Sequence, residues 1–179
     1  MSFDISAFRS QGLTGAGARP NLFDMTLSGT GASTHGVNTN NFVYLCKIAS
    51  IPPSTMGVVE VPYFGRMVKV PGNRTFDNLS LTIINDEDFA IRNGFEKWMN
   101  SMNSHIANKS VNPSDLYAQL ELKQYKRDQN PSDGGTWIFH TCFPVALGEI
   151  GLDWGSNDAV EEFTVDFAYD YWAHGSITS

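Results

Sequence analysis

Apolar residues recur at every second position over long stretches of this chain, and no other feature narrows its fold as much. Leu79, Leu81 and Ile83 share one parity, with Ser80 and Thr82 on the other. Leu116, Ala118, Leu120 and Leu122 alternate with Tyr117, Gln119, Glu121 and Lys123. Phe163, Val165, Phe167, Tyr169 and Tyr171 alternate with Thr164, Asp166, Ala168 and Asp170. Side chains of a strand point alternately to its two faces, so this period means strands with one packed and one wetter face. Further strands are predicted at 22–28, 42–49, 58–64, 66–70 and 136–143. One segment departs from the rule. Ile91, Phe95, Trp98 and Met102 fall at helical spacing, which predicts one amphipathic helix over about 88–102. The run Asn85, Asp86, Glu87 and Asp88 offers that helix an N-cap and negative charge at its positive end. Strands without a βαβ rhythm exclude a doubly wound α/β fold. The fold expected is mainly β, a β-sandwich or open barrel with one helix packed on it.

A length of 179 residues suits one domain, and 12% aromatic with only 17% charged residues excludes a largely disordered chain. Residues 1–18, polar and glycine-spotted, are expected as a flexible N-terminal arm, 19–172 as the β-domain and 173–179 as a C-terminal tail. Residues 29–41 are almost all Gly, Ser, Thr, Asn and His, and are expected as an exposed loop between strands. Residues 58–70 form a hairpin with Phe64-Gly65 at its tip. Val59, Val61 and Tyr63 fall opposite Glu60, Pro62 and Phe64, so both faces are mixed, and Pro62 argues for an edge position. On residues alone it reads either as an ordinary edge hairpin or as a pairing element for another subunit.

The formal net charge of −7 conceals an asymmetry. All twelve Lys and Arg residues lie at or before Arg127, against ten acidic residues in the same span. The remaining 52 residues carry nine acids and no Lys or Arg. Phosphate neutralisation needs clustered basic side chains, so stable nucleic-acid binding is not expected, nor is docking on an anionic membrane. No 18-residue apolar run and no secretion signal is visible, which reads as a soluble chain folded in a cytosol.

Chemistry is sparse. Cys46 and Cys142 are far apart and are expected as buried, reduced thiols. His35, His105, His140 and His174 show no ligand spacing, although His140 and Cys142 are expected on one strand face. The stretch from Asp128 to Gly134 has the look of a calcium loop, but its twelfth position is Phe139 rather than a bidentate Glu, so a turn is predicted. No phosphate-binding glycine loop and no nucleophile elbow is present. No catalytic residue, metal site or cofactor is expected.

An ordered series of short motifs is more specific. Ala18-Arg19-Pro20-Asn21-Leu22-Phe23 opens the first strand, and Cys46-Lys47-Ile48-Ala49 precedes Pro52-Pro53. Gly72-Asn73-Arg74-Thr75-Phe76-Asp77, Asn85-Asp86-Glu87 and Gln124-Tyr125-Lys126-Arg127-Asp128 follow. Gly148-Glu149-Ile150-Gly151-Leu152-Asp153-Trp154 and Asp170-Tyr171-Trp172 close the chain. From about Ala18 to Trp172 this series resembles the tail tube proteins of contractile-tailed bacteriophages of the T-even type, a family related to the tube proteins of type VI secretion.

The resemblance implies a non-enzymatic subunit that forms hexameric rings, stacked head to tail into a hollow conduit inside a contractile sheath. It implies a virion-tail location, assembly in the host cytoplasm, and sheath, baseplate and tail-terminator proteins as partners. A tape-measure protein and DNA would pass through the lumen without specific binding. It assigns the hairpin to the ring and lumen, with Glu60, Tyr63, Arg66 and Lys69 as candidate residues. Within the acidic block, Asp153, Asp158 and Glu161 are the candidate stacking contacts. Two further readings stay open: a β-sandwich carbohydrate or adhesion module using Trp137, Trp154 and Trp172, and a baseplate-proximal tube initiator.

Overall fold

The computed structural model describes residues 5–13, 17–106, 112, 115–128 and 130–175. Among these described residues nine strands follow in order: β1 (Phe23–Ser28), β2 (Cys46–Ala49), β3 (Ser54–Tyr63), β4 (Arg66–Phe76), β5 (Leu79–Ile84), β6 (Ala118–Tyr125), β7 (Pro131–Leu147), β8 (Glu162–Ala168) and β9 (Tyr171–His174). Between them lie α1 (Ile5–Ala7), which runs into a wider turn at Phe8–Gly12, then α2 (Thr30–Thr34), α3 (Thr39–Leu45) and α4 (Ala90–Met102). Seven strands form one antiparallel sheet in the order β1-β6-β7-β8-β5-β2, with β9 also on β7. The remaining two, β3 and β4, pair only with each other. The sheet does not close, because β1 and β2 are its two unpaired ends.

The period-two residues make the core. Leu79, Leu81 and Ile83 on β5 face inward with Phe163, Val165 and Phe167 on β8, their cross-strand partners in reverse order. One face of α4 covers this apolar surface: Ile91, Phe95 and Trp98 are fully buried. Phe95 meets Phe167 edge to face at 5.8 Å and Phe42 at 6.2 Å, geometries that satisfy the ring quadrupoles. The buried Trp98 indole donates to the Leu116 carbonyl at 2.8 Å, which removes the desolvation cost of its N–H.

β7 is the strand that holds the two halves together. Its first part pairs with β6 on one edge and β9 on the other, and its last residues pair with β8. The change of partner falls at Thr141, whose φ of 60° bends the strand. The bend adds one residue to the alternation, so Phe139 and Cys142 both point inward. His140 therefore does not share a face with Cys142, contrary to the expectation from spacing. It stacks on Tyr171 instead, at 4.7 Å. The alternation from Phe163 to Tyr171 also breaks, at Tyr169 and Asp170, where the chain leaves β8 and re-pairs as β9. β9 carries the sheet to His174.

The expected loop at 29–41 is a correction. It folds into α2 and the first three residues of α3, with Gly31, Ala32 and Val37 buried; Phe42 just beyond is buried too, and 42–45 is helix rather than strand. Small residues permit this by close approach rather than by apolar area. A Cβ on Gly31 would lie 2.7 Å from the Leu116 carbonyl oxygen and 2.8 Å from the Trp98 ring. A Cβ on Gly94, in the middle of α4, would lie 2.9 Å from the Val37 backbone.

The expected cap of α4 is a second correction. The helix starts after Phe89, which sits in the left-handed region at φ 55° and makes no side-chain cap. Asn85 turns inward, and its side-chain amide donates to the Glu161 carboxylate at 2.7 Å. The expected flexible arm, 1–18, and tail, 173–179, fall partly outside the described residues. The described part of the arm is α1 and the turn after it.

Candidate assembly surfaces

The β3–β4 hairpin is the largest element that the body does not explain. Every residue of β3 is exposed, as is every residue of β4 except Gly72 and Phe76. A lone two-stranded hairpin is marginally stable in water, so this one lacks the neighbours that a strand pair of its length needs. Its local geometry follows from its sequence. Pro52-Pro53 fixes the chain's exit from β2, and the tip residues Phe64 and Gly65 have φ of 43° and 81°, the positive pair of a two-residue hairpin turn. Near the base the register shifts between Met56 and Val58, where Gly57 lies against Gly72 and Asn73. A Cβ on Gly72 would stand 3.1 Å from the Gly57 carbonyl.

The register sorts the candidate residues. Val59 pairs with Val70, Val61 with Val68 and Tyr63 with Arg66, which makes one face a valine ladder ending in a tyrosine and an arginine. Val58 pairs with Pro71, Glu60 with Lys69 and Pro62 with Met67 on the opposite face. Glu60 and Lys69 therefore meet, with Lys69 Nζ 3.9 Å from Glu60 Oε1, while Tyr63 and Arg66 lie behind them. The four residues do not form one cluster. Periodicity alone gave their parity along each arm, but the pairing of the two arms needed the register.

The hairpin joins the body through an aromatic clasp that sequence reasoning did not single out. Phe76, at the end of β4, packs at 6.0 Å on Tyr169 and at 6.2 Å on Trp172. The Tyr169 hydroxyl donates to the Asp77 carbonyl at 2.7 Å, and its ring meets Phe139 at 5.1 Å. The signal was present as the aromatic cluster Tyr169, Tyr171 and Trp172, but the uninterrupted alternation ran Tyr169 and Tyr171 together on one strand face and left Trp172 out.

The second surface is the loop between β7 and β8. Its ten residues from Gly151 to Val160 are all exposed, and among them Leu152, Val160 and Trp154 are apolar. Trp154 is fully exposed, yet the turn beneath it is built: the Gly155 N–H donates to Asp153 Oδ1 at 3.0 Å and the Ser156 N–H to the Asp153 carbonyl at 3.2 Å. The three candidate stacking acids take different roles. Asp153 shapes the turn, Glu161 ties the base of the loop to Asn85, and Asp158 is exposed. Trp137 and Trp172 are half-buried in the sheet, so the three tryptophans form no common platform for a sugar ring.

A third feature is an apolar groove at the unclosed side of the sheet, lined by Pro20, Phe23, Ala49, Ile51, Leu122, Gln124 and Trp137. It lies where β1 and the end of β2 approach without pairing.

The titrating groups argue for structure rather than reaction. Burial pushes both the Cys46 and the Cys142 thiol up to about 12, so they stay protonated and unreactive. Tyr125 donates to the Asp24 carboxylate, and that bond, ahead of burial, pushes its hydroxyl up to about 12. Among the described residues no three His, Cys, Asp or Glu side chains converge as a metal ion requires. Among the described residues no helix is long and apolar enough to cross a membrane.

Comparison with known proteins places this architecture. The sequence pattern of the family described as phage tail tube protein matches residues 18–174. The tail tube protein gp19 of Enterobacteria phage T4 is 32% identical over 157 residues, covering 87% of this chain and 90% of that protein. The tail tube protein of Serratia phage KSP90 is 28% identical over 167 residues, covering 92% and 93%. Among solved structures, the fold is shared with a chain of the anti-feeding prophage tube-terminating cap, with a TM-score of 0.63 at 14% identity over 88% of this chain and 90% of that one. It is shared also with a chain of an extracellular contractile injection system's sheath–tube complex in its extended state, with a TM-score of 0.55 at 16% identity over 97% and 99%. A match to the family's pattern over nearly the whole described body, with a relative above 30% identity, leaves one conclusion: the chain belongs to the phage tail tube protein family.

Proposed function

We propose that this chain closes into hexameric rings through its β3–β4 hairpin, and that the rings stack head to tail into the conduit through which a contractile-tailed phage delivers its genome. The observation that carries the reading is the hairpin itself, a two-stranded sheet exposed on both faces, unpaired with the main sheet and held by the body at its base. Strand addition from neighbouring copies gives its valine ladder a packed side and supplies the missing edge bonds. The face bearing Glu60 and Lys69 then looks into the lumen, and the face with Tyr63 and Arg66 packs within the ring. Paired charges of opposite sign on the lumen wall hold no phosphate strongly, which suits passage of DNA and of a tape-measure protein.

The sheath, baseplate and terminator assemblies of related injection systems fit the same role for this chain in a virion tail, built in the host cytoplasm. Stacking runs through the end surfaces, with Asp153, Asp158 and Glu161 on one of them. Electron microscopy of the purified chain tests the reading. Six-fold rings and tubes are expected, and loss of both after Val61→Asp and Val68→Asp is expected with the body still folded. A strictly monomeric chain at high concentration would refute it. One ring per tail in purified virions, rather than many, would instead mark a baseplate-proximal initiator.

A further inference from the structure

We propose that the turn carrying Trp154 is a knob that seats in the apolar groove of a second copy of this chain, joining one ring to the next. The proposal rests on the tube-subunit reading above and specifies its axial contact.

Four observations support it. The Trp154 indole is fully exposed, although Asp153 fixes the turn that presents it through bonds to Gly155 and Ser156. An ordered turn that holds a tryptophan in water is a preformed anchor, since a large rigid side chain buries much area at small entropic cost. The groove is complementary in character, with Phe23, Leu122, Trp137 and Ile51 as walls and Gln124 as its polar member.

Charge agrees. The knob loop carries Glu149, Asp153 and Asp158 and no Lys or Arg. Beside the groove stand Arg19, whose carbonyl accepts from the Gln124 amide at 3.2 Å, and Lys126 and Arg127, which follow directly on β6; the acids near them are Asp128 and Asp24, whose carboxylate accepts from the Tyr125 hydroxyl. Opposed potentials of this kind orient the approach and set register.

Placement decides the partner. Trp137 lies in the groove and the knob loop begins just past Leu147, so ten residues of β7, up to roughly 30 Å of strand, separate the two. Knob and groove therefore lie toward opposite ends of one strand. A contact between unlike surfaces at the two ends of a subunit propagates without closing, as stacking requires.

The experiment pairs two substitutions with a cross-link. Trp154→Ala removes the knob from a fully exposed site, and Ile51→Glu places an acid in the groove wall. Each is expected to leave the thermal midpoint and the rings intact while cutting pelletable tube at least tenfold at equal protein concentration. Trp154→Cys chains mixed with Gln124→Cys chains are expected to give a disulfide-linked pair only in the mixture, trapped between stacked rings. Tubes of normal yield from both variants would overturn the contact and leave the ring reading standing. So would a cross-link that joins neighbours within one ring, or Trp154→Ala tubes that stack normally but fail only to take up sheath. A parent chain that makes neither rings nor tubes would overturn the tube-subunit reading and this contact with it.

Discussion

Phe64, like Phe89 and Thr141, is a residue whose local conformation its side chain argues against. It sits at φ 43°, a region where a residue with a Cβ costs on the order of 1 kcal/mol, and its ring is 90% exposed beside Tyr63. Asn-Gly is the pair such a turn prefers. Phe64→Asn is therefore expected to order the hairpin tip in the monomer, as read by amide exchange, while raising the concentration needed for assembly. Tighter assembly of the variant would show that the phenylalanine is tolerated rather than used. A second expectation concerns alkali. Cys46 and Cys142 rise from 9.0 to about 12, and Tyr125 and Tyr169 from 10.0 to about 12. The folded chain keeps protons that the unfolded chain has released, so stability is full below about pH 9 and falls as pH climbs toward 12. Urea midpoints at successive pH values check this, and a midpoint unchanged between pH 8 and 11 contradicts it. Sequence foresaw two quiet thiols. It did not foresee that Thr141 would take positive φ and separate His140 from Cys142, because a bulge is set by the partner strands and leaves no mark in one strand's alternation.

At the scale of elements, β1, β5, β6 and β8 were legible because each has one packed face and one wetter one. The hairpin was legible from its turn, marked by Phe64-Gly65 between two valine-rich arms, although neither of its faces is packed. The 29–41 segment was not, since composition rules equate Gly, Ser and Asn with solvent. Gly31 and Ala32 are buried because α2 lies against Trp98 and Leu116 at a distance that no larger side chain permits. The clasp of Phe76 with Tyr169 and Trp172 was hidden by the same alternation that revealed β8. It leads to an element-level expectation. Phe76→Ala frees the β4 end of the hairpin while Pro52-Pro53 still holds the other, so the hairpin's angle on the body is no longer fixed. Removing a half-buried ring is expected to cost about 1–3 kcal/mol in a urea melt, less than a core phenylalanine. In the proposed ring, closure is expected to suffer far more, since six hairpins would have to meet in one geometry. Equal losses in stability and assembly would reduce the clasp to ordinary packing.

For the molecule as a whole, the charge asymmetry acquires a place. The acids after Arg127 include the exposed Glu149, Asp153 and Asp158 of the loop beyond β7, and the exposed Lys126 and Arg127 close β6 near the other end of that strand. Opposite signs at opposite ends predict that polymerisation slows as salt rises, because exposed charges are screened beyond about 8–10 Å. Light scattering at increasing ionic strength reads this directly, and rates that do not respond would remove electrostatics from the stacking step. Tube membership itself was legible only through an ordered series of motifs. Nothing in composition separates a subunit with unfilled surfaces from a monomer with a few exposed valines.

The bent strand β7 also has a mechanical meaning. It runs from the groove to the base of the knob, flanked by β6 and β9 and then by β8. A push or pull along that line travels through covalent backbone in series, and it loads the flanking ladders in shear, where many hydrogen bonds resist together rather than opening one at a time. Thr141, where the strand changes partner, is one break in that spar, and the register shift at Val145 is another. A rod made of such units would be stiff under thrust and would take up what little strain it bears at these irregular positions.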